Sequence, residues 1–502
     1  MLEKIIKKTI LLGSLLIGLS GCYQTTNNYY NNVFENSVPE TEEQADAVLS
    51  DDYKLGEDQK EQEYASQEVG LFDVFENSRN DFQTPEDNIS DFQLVELQDN
   101  VQSLEVLIDN LVEVLGCTDP KADNYNSLAT KDDDSCKYVD ICWDKTFGGS
   151  NSDVALSIQQ TKDLGYIVAG ETWSKGAGES DVWVFKLDSN GNLVWDKTFG
   201  GNENNRALSI QQTKDLGYIV AGQTTSKGAG GNDAWILKLD SNGNLEWDKT
   251  FGGSSLDEVD SIQQTKDLGY IVTGETGSKG AGEEDAWIFK LDENGNLEWD
   301  KTFGGSNSDV AYSVQQTNDG GYIVAGDTNS KGAGSYDAWI FKLDSNGNLE
   351  WDKTFGGSEQ DYAHSIQQTK DLGYIVTGET GSKGAGSYDA WVFKLDSNGN
   401  LVWDKTFGGN MDDHAYSIQQ TKDLGYIVAG WTIGGAWVFK LDSNGSLEWD
   451  KTFGGSNYIG YLQIQQTTDL GYVAASWTYS KGAGSDDAWV FKLDSNGNLE
   501  CK

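Results

Sequence analysis

Trp195-Asp196-Lys197-Thr198-Phe199-Gly200-Gly201 is a heptapeptide that occurs seven times without change, beginning at Trp143, Trp195, Trp247, Trp299, Trp351, Trp403 and Trp449. The interval is 52 residues as far as Trp403 and 46 for the last step, where a Ser-Lys-Gly-Ala-Gly stretch is missing near Ile433. A fixed period of this length, sustained from residue 141 onward, points to a propeller or a solenoid before any other architecture.

Each unit holds four strand-like runs; in the first they cover residues 141–147, 155–161, 166–171 and 182–188. The turns between them are short. Ser189-Asn190-Gly191-Asn192 places Asn-Gly where a type I′ hairpin needs φ > 0 at both central residues. Lys162-Asp163-Leu164-Gly165 is a second turn, written Asn318-Asp319-Gly320-Gly321 in the fourth unit. Four antiparallel strands joined this way make one blade, and seven blades close a ring. A β-helix would need parallel coils of shorter period, and the hairpin turns argue against it. The fold class predicted is all-β, a seven-bladed β-propeller over residues 139–502, preceded by a disordered tether and a short heptad helix.

Polarity suggests where each strand sits. The run 165–170 (Gly-Tyr-Ile-Val-Ala-Gly) is apolar on both faces and is predicted to be innermost. Ser157-Ile158-Gln159-Gln160-Thr161 is the most polar run and is predicted to be the outer edge, where polar side chains discourage edge pairing. Trp183, Phe185 and Leu187, with Leu193, Trp195 and Phe199, alternate with polar neighbours and should fill the interfaces between blades. On this reading the last blade takes two strands from the C-terminus and two from residues 141–161. Cys142 aligns with Val194, and Cys501 falls in the Trp195 slot, so the chain ends meet and a Cys142–Cys501 disulfide is predicted; two unpaired thiols are the alternative.

The segment ahead of the repeats has its own signals. Lys4, Lys7 and Lys8 precede an apolar run over residues 10–19, too short for a permanent span and therefore a signal-peptide core. It ends in Leu19-Ser20-Gly21-Cys22, which resembles the lipobox of bacterial lipoproteins. The resemblance implies a signal peptide over residues 1–21, lipid on Cys22 (palmitate among its acyl groups) and a membrane anchor. With Tyr23 next, it implies the outer membrane, facing either the surface or the periplasm. Residues 22–88 are rich in Asn, Gln, Asp and Glu without periodicity and are read as an acidic disordered tether. Over residues 89–116 a helix is predicted: Leu94, Val101, Ile108 and Leu115 alternate with Leu97, Leu104 and Leu111 as an a/d seam. It would make a homodimer or, with Leu107, Val112 and Val114 widening the stripe, a trimer; alternatively it packs on the chain itself. Cys117 and Cys136 bound a small acidic module, residues 117–138, which resembles a Cys-bounded module of surface proteins of aquatic bacteria. It is too short to bury a core, and a disulfide is its expected staple. Its aspartates would hold Ca2+ or form a solvated loop, their spacing matching no defined calcium loop.

The repeats resemble the tandem β-propeller repeats of bacterial surface proteins, with the signature clearest at Gly320-Gly321-Tyr322-Ile323-Val324-Ala325-Gly326. Residues 187–195 also resemble the Ala-x-Asp…Gly…Trp motif of quinoprotein-type propellers. The resemblance implies the fold and little about function, because propellers host enzymes, scaffolds and adhesins alike.

The formal net charge of −45 makes nucleic acid an unsuitable partner, since phosphate binding needs a basic footprint. Cations and basic proteins remain suitable. No nucleophile elbow, phosphate loop or paired zinc motif is present. His364 and His414 lie in different units at different offsets, which argues against a His-based metal site. No catalytic residue is therefore assigned. In an up-and-down blade the turns at 161–165 and 188–192 share one face and barely vary. The loops after Phe-Gly-Gly and around Ser-Lys-Gly-Ala-Gly share the other and vary widely (150–153, 202–205, 410–413). That face is read as the recognition face, neutral drift being the plainer account. At its centre the residue after the Ala-Gly of the apolar strand is Glu171, Gln223, Glu275, Asp327, Glu379, Trp431 and Trp477 in turn. A channel mouth so lined suits a cation or a stacked sugar ring; the plainer reading is polar strand ends in water. The Asp-Ser-Asn-Gly-Asn turn has the start of a calcium loop but lacks its later ligands, so a plain hairpin is expected. The function expected is a cell-envelope lipoprotein presenting a binding or scaffold module for a glycan, cation or protein, with a periplasmic assembly scaffold as the alternative and a polysaccharide-active enzyme less favoured.

Overall fold

The computed structural model describes residues 142–454 and 460–499, together with most of residues 115–136. The signal peptide with Cys22, the tether, residues 94–114 of the heptad seam and Cys501 lie outside the described residues. Leu115 lies in a single bridge to Lys131, so the helix predicted to reach residue 116 does not extend through its last two positions. Cys117 and Cys136 are joined by a disulfide, and the short segment is further tied by Asn126 N donating to the Cys117 carbonyl (2.9 Å). Among the described residues no helix is long and apolar enough to cross a membrane.

The repeats form seven four-stranded antiparallel sheets, the blades of a β-propeller. The first complete blade comprises β2 (Asp153–Gln160), β3 (Tyr166–Thr172), β4 (Asp181–Leu187) and β5 (Leu193–Phe199) in that spatial order. The pattern continues to β28 (Asp487–Leu493).

The strand order inverts the radial reading made from polarity. The Tyr166 strand is second in its sheet, so it is not innermost; it is apolar on both faces because it lies between two blades and between two strands. The Gln strand, β2, is the edge at the channel. Its polar side chains meet the neighbouring blade: Gln159 Oε1 accepts from Gln212 N (2.6 Å), and Gln212 Oε1 accepts from Lys162 N (2.9 Å). Polarity there marks bonds between blades rather than contact with bulk water. The Leu-Val-Trp-Asp-Lys-Thr-Phe strand, β5, is outermost and half-exposed.

Ring closure also differs from the 2+2 division. The last blade is β1 (Trp143–Phe147) paired to β28, followed inward by β27 (Tyr472–Thr478) and β26 (Gln463–Gln466). Three strands come from the C-terminal end and one from the start of the repeats, with Trp143 opposite Lys492 and Phe147 opposite Ala488. Trp489 Nε1 donates to Asp144 Oδ1 (2.6 Å) across this junction. The Cys142 Sγ lies 3.6 Å from the Asn498 carbonyl.

Buried aromatics fill the spaces between blades. One cluster joins Ile167, Ala169 and Val184 of one blade to Tyr218, Trp235 and Leu237 of the next, with Trp195 and Phe199 against it. Such large rings supply most of the burial energy of the ring.

The turn at Asp188–Asn192 is not type I′. Gly191 alone has positive φ (72°), Gly191 N bonds the Asp188 carbonyl (3.0 Å), and Asp188 N bonds that of Asn192 (2.9 Å). This is a three-residue hairpin, a type I turn followed by a glycine bulge. Asp188 Oδ1 accepts from Asn190 N and Asn192 N (2.9 and 2.8 Å), so the aspartate is spent on the turn.

A second glycine matters for the site. β2 bulges between Ala155 and Ser157, opposite Gly170. A Cβ at the equivalent Gly326 would stand 1.9 Å from the Val310 carbonyl oxygen. In the last blade the glycine is replaced by Ser476, and the described pairing there has no bulge. Gly326→Ala is therefore expected to force the bulge outward and cost about 1–3 kcal/mol, read as a lower denaturant midpoint, whereas Gly231→Ala, with open space around it, should leave the midpoint nearly unchanged.

Candidate functional site

The loops of the variable face stand on a recurrent aspartate frame. Asp153 Oδ2 accepts from Gly149 N (2.7 Å) and Ser174 Oγ (2.6 Å), and its Oδ1 accepts from Thr172 Oγ1. Asp181 Oδ2 accepts from Ala177 N (2.7 Å) and so fixes the Ser-Lys-Gly-Ala-Gly loop. Lys175 pairs with Asp196 and lies over the Trp183 ring, 4.7 Å from its centroid. These repeated charges are thus engaged in holding loops, which leaves the non-repeating positions to define a site.

Those positions gather at the channel. The seven residues singled out from the sequence lie one strand back from the channel edge, and six of them stand directly opposite an inner-strand residue: Glu171 faces Val154, Gln223 faces Arg206, Glu275 faces Glu258, Asp327 faces Val310, Glu379 faces Tyr362 and Trp431 faces His414. Trp477 packs edge-on against Tyr479 (5.2 Å). The bulged residue of each inner strand adds Asp260, Tyr312, His364 and Tyr416 in successive blades. Sequence reading missed this inner layer because it placed the Gln strand outermost. The signal was present: in the first six units the residue before the constant Ile-Gln-Gln or Val-Gln-Gln is always Ser, while the residue before that Ser runs Leu, Leu, Asp, Tyr, His, Tyr.

The mouth has two unlike halves. On one side stand carboxyl groups. Burial, then Asp260, Glu284, Glu258 and Asp327, push Glu275 up to about 8. Burial and Glu258 lift Asp260 to about 7 against the pull of Arg206. Burial lifts Asp327 to about 7, while the Tyr312 hydroxyl and His364 oppose the rise. Gln223, its amide turned to suit its neighbours, donates to both Glu258 oxygens (2.7 and 2.8 Å). Arg206 Nε lies 3.9 Å from Glu171.

The other half is aromatic. His414 Nδ1 bonds Glu379 Oε2, and His364 Nε2 lies 3.7 Å from the same oxygen. Burial alone would raise Glu379, but the two imidazoles outweigh it and bring the carboxyl down to about 2. Thus two histidines at different offsets converge on one carboxylate. Trp431 stacks on His414 (4.6 Å) and donates from Nε1 to the Tyr416 hydroxyl (3.1 Å). Tyr416 stacks on Tyr461 (4.4 Å), which also meets the His364 edge. Among the described residues no three His, Cys, Asp or Glu side chains come together closely enough to share a metal ion, so the Ca2+ reading gains no site here.

No protein-family profile matches the chain. A regulatory protein, FlaEY of Caulobacter vibrioides, is 25% identical over 164 residues, 28% of this chain. The chain spans 17% of that relative's length. Among solved structures, Sqt1 from Chaetomium thermophilum aligns with 67% of this chain and 85% of its own (TM-score 0.41, 11% identity). The Neurospora crassa Pan2 WD40 domain aligns with 69% and 89% (0.44, 12%). BBS1N, solved in complex with ARL6DN, aligns with 72% and 99% (0.40, 12%). The propeller assignment rests on the strand topology of this chain itself.

The raised carboxyl of Glu275 has a consequence for stability. Unfolded, the group ionises near 4.5; folded, near 8. Between those values the folded state holds the extra proton, so stability falls as pH rises through that window. The melting temperature of the full chain is expected to drop between pH 5 and pH 8, and Glu275→Gln should flatten part of that drop and melt higher than the parent at pH 8. An unchanged profile in the variant would remove Glu275 as a source of the drop.

Proposed function

We propose that this chain is a cell-envelope lipoprotein, anchored through Cys22, that presents its propeller as a ligand-binding module and receives a glycan at the channel mouth of the variable face. The observation that carries the ligand reading is the mouth itself. Seven blades of nearly one sequence depart from one another where inner and second strands meet, and there they gather aromatic rings beside carboxyl and imidazole groups. Rings that stack on sugar faces, with polar groups that fix hydroxyls, are the lining such pockets use. The lipobox-like Leu19-Ser20-Gly21-Cys22 supports the anchor, and the net charge of −45 suits a soluble head at a crowded surface.

The binding test is a glycan array probed with the purified full chain and with Trp431→Ala and Trp477→Ala. Loss of about tenfold or more in affinity in the Trp431 variant is expected, and binding unchanged in both variants would remove the mouth as the site. For the anchor, labelled palmitate should enter the parent and not Cys22→Ser; equal labelling of the two would refute lipidation there.

A second reading, an envelope-assembly scaffold, has its own support on the opposite face. Six turn leucines hold φ of 67–75°, among them Leu216, Leu268, Leu372 and Leu424, which are 40–50% exposed. The fourth unit has Gly320 there at φ 90°. A left-handed leucine costs about 1–2 kcal/mol that glycine avoids, so its retention outside the core suits a docking role. Protease treatment of intact cells separates the readings, since a periplasmic scaffold would be protected.

A further inference from the structure

We propose that the acidic half of the channel mouth, built by Glu258, Asp260, Glu275 and Asp327, is a site for a primary ammonium group carried by a small ligand, an amino sugar or a linear polyamine. The inference rests on the mouth being a binding site and names the chemistry it takes.

Three observations lead to it. First, Glu258 and Glu275 are direct cross-strand partners in the third blade. Like charges in that position destabilise a sheet, and no other blade pairs two acids there. Second, Asp327 of the next blade is 1% exposed, and neither carboxylate oxygen has a hydrogen bond within ordinary limits. A buried acceptor left unmet costs about 1–3 kcal/mol, more when charged. Third, compensation within the protein is meagre. Glu284 adds to the negative field on Glu258 and Glu275, and Asp327 adds to it on Asp260 and Glu275. Arg206 alone is the cation that draws Glu258 and Asp260 back down. Glu258 already accepts from the amides of Asn232 (2.7 Å) and Gln223 (2.7 and 2.8 Å), so the want of donors lies at Asp327.

The kind of cation follows from the spacing. The carboxyl groups do not converge as a shared ion would require, and a divalent metal needs six or more oxygens at about 2.3–2.6 Å. An ammonium group offers three donors and spreads its contacts over separated acceptors. The aromatic half then supplies faces for the rest of the ligand: Tyr461, 42% exposed and stacked on Tyr416 at 4.4 Å, stands beside His364. Rings of this kind attract an ammonium through their π-faces as well. Since burial pushes Asp260 and Asp327 up to about 7 and Glu275 up to about 8, an arriving ammonium displaces protons from them.

The experiment is calorimetric titration of the full chain with spermidine, the trimer of glucosamine and the N-acetylated trimer, at pH 6, 7 and 8.5, on the parent, Glu275→Gln and Asp327→Asn. Spermidine or the free-amine trimer, or both, should bind, the acetylated trimer about tenfold or more weaker. Each amide variant should lose about tenfold or more for the amine probes while melting no lower than the parent. Spermidine affinity should climb from pH 6 to pH 8.5, with protons released on binding. Spermidine alone would identify a polyamine, and the free-amine trimer alone an amino sugar; either supports the proposal. Equal affinity for free and acetylated trimers overturns the ammonium assignment and leaves the glycan reading standing. Amine binding unmoved by both amide variants overturns it too. No binding of any probe, together with a silent glycan array, overturns both.

Discussion

A closed ring of glutamine bonds holds the blades in register. The first Gln of each inner strand accepts from the backbone N–H of the second Gln in the next blade, at 159→212, 211→264, 263→316, 315→368, 367→420, 419→466 and 465→160 (2.5–2.7 Å). That second Gln in turn accepts from the turn N–H of the blade before, as Gln212 does from Lys162 and Gln160 from Thr468 (both 2.9 Å). An inner strand has no partner strand on its channel side, so its outward N–H groups would be unmet in a crowded interior. Side-chain carbonyls from the neighbour meet them. The apolar wedge between blades then packs at a spacing the glutamines have already set, and the last bond, from Gln160 to Gln465, is made only when the two ends of the repeat array meet.

This arrangement accounts for what could and could not be read from the sequence. Blade number, strand number and the sharing of turns between faces followed from the period and from glycine-marked turns, because these are local. Radial order did not follow, because polarity was taken as a measure of water. Gln159 is polar for the sake of Gln212 in the next blade and Gln160 for the sake of Thr468 in the last, and Tyr166 is apolar since it has blade on both sides. The same inversion explains the closure: with the Gln strand at the axis, the spare strand at the chain start must be the outermost kind, the Trp143–Phe147 strand, and the ring closes three strands to one. At the site, the second-strand positions were legible as the residues that vary after Ala-Gly or Thr-Gly, or after Ala-Ser in the last blade. Their partners across the ladder were not, since knowing that Glu258 faces Glu275 requires the register.

The bulge is what converts a uniform ring into a site. In a regular ladder side chains alternate, and a residue between Ala155 and Ser157 would take a place in the buried alternation between blades. The extra residue breaks the count. Ala155 and Ile158 both stay buried, and Leu156, Asp260, Tyr312, His364 and Tyr416 become free to differ without disturbing the wedge. Gly170 and its counterparts make room for the displaced carbonyl. The mouth therefore changes composition from blade to blade while everything beneath it repeats.

Charge placement within that mouth is uneven in a way that folding alone does not require. Glu379 receives two imidazoles and is held ionised; Asp327, at the same position one blade earlier, has none bonded to it and is pushed up to about 7. The aspartates of the loop frame show that this chain readily surrounds a buried carboxylate with donors, as Asp153 and Asp181 are. At Asp327 neither carboxylate oxygen has such a donor within hydrogen-bond distance, and in the blade before it Glu275 is set against Glu258. A propeller built of repeats can spare stability at one arc of its channel, because the glutamine ring and the aromatic wedges of all seven blades hold the register regardless. The acidic arc is then a local weakness on a rigid support, which is the arrangement that lets a cationic group arriving from outside gain most from filling it.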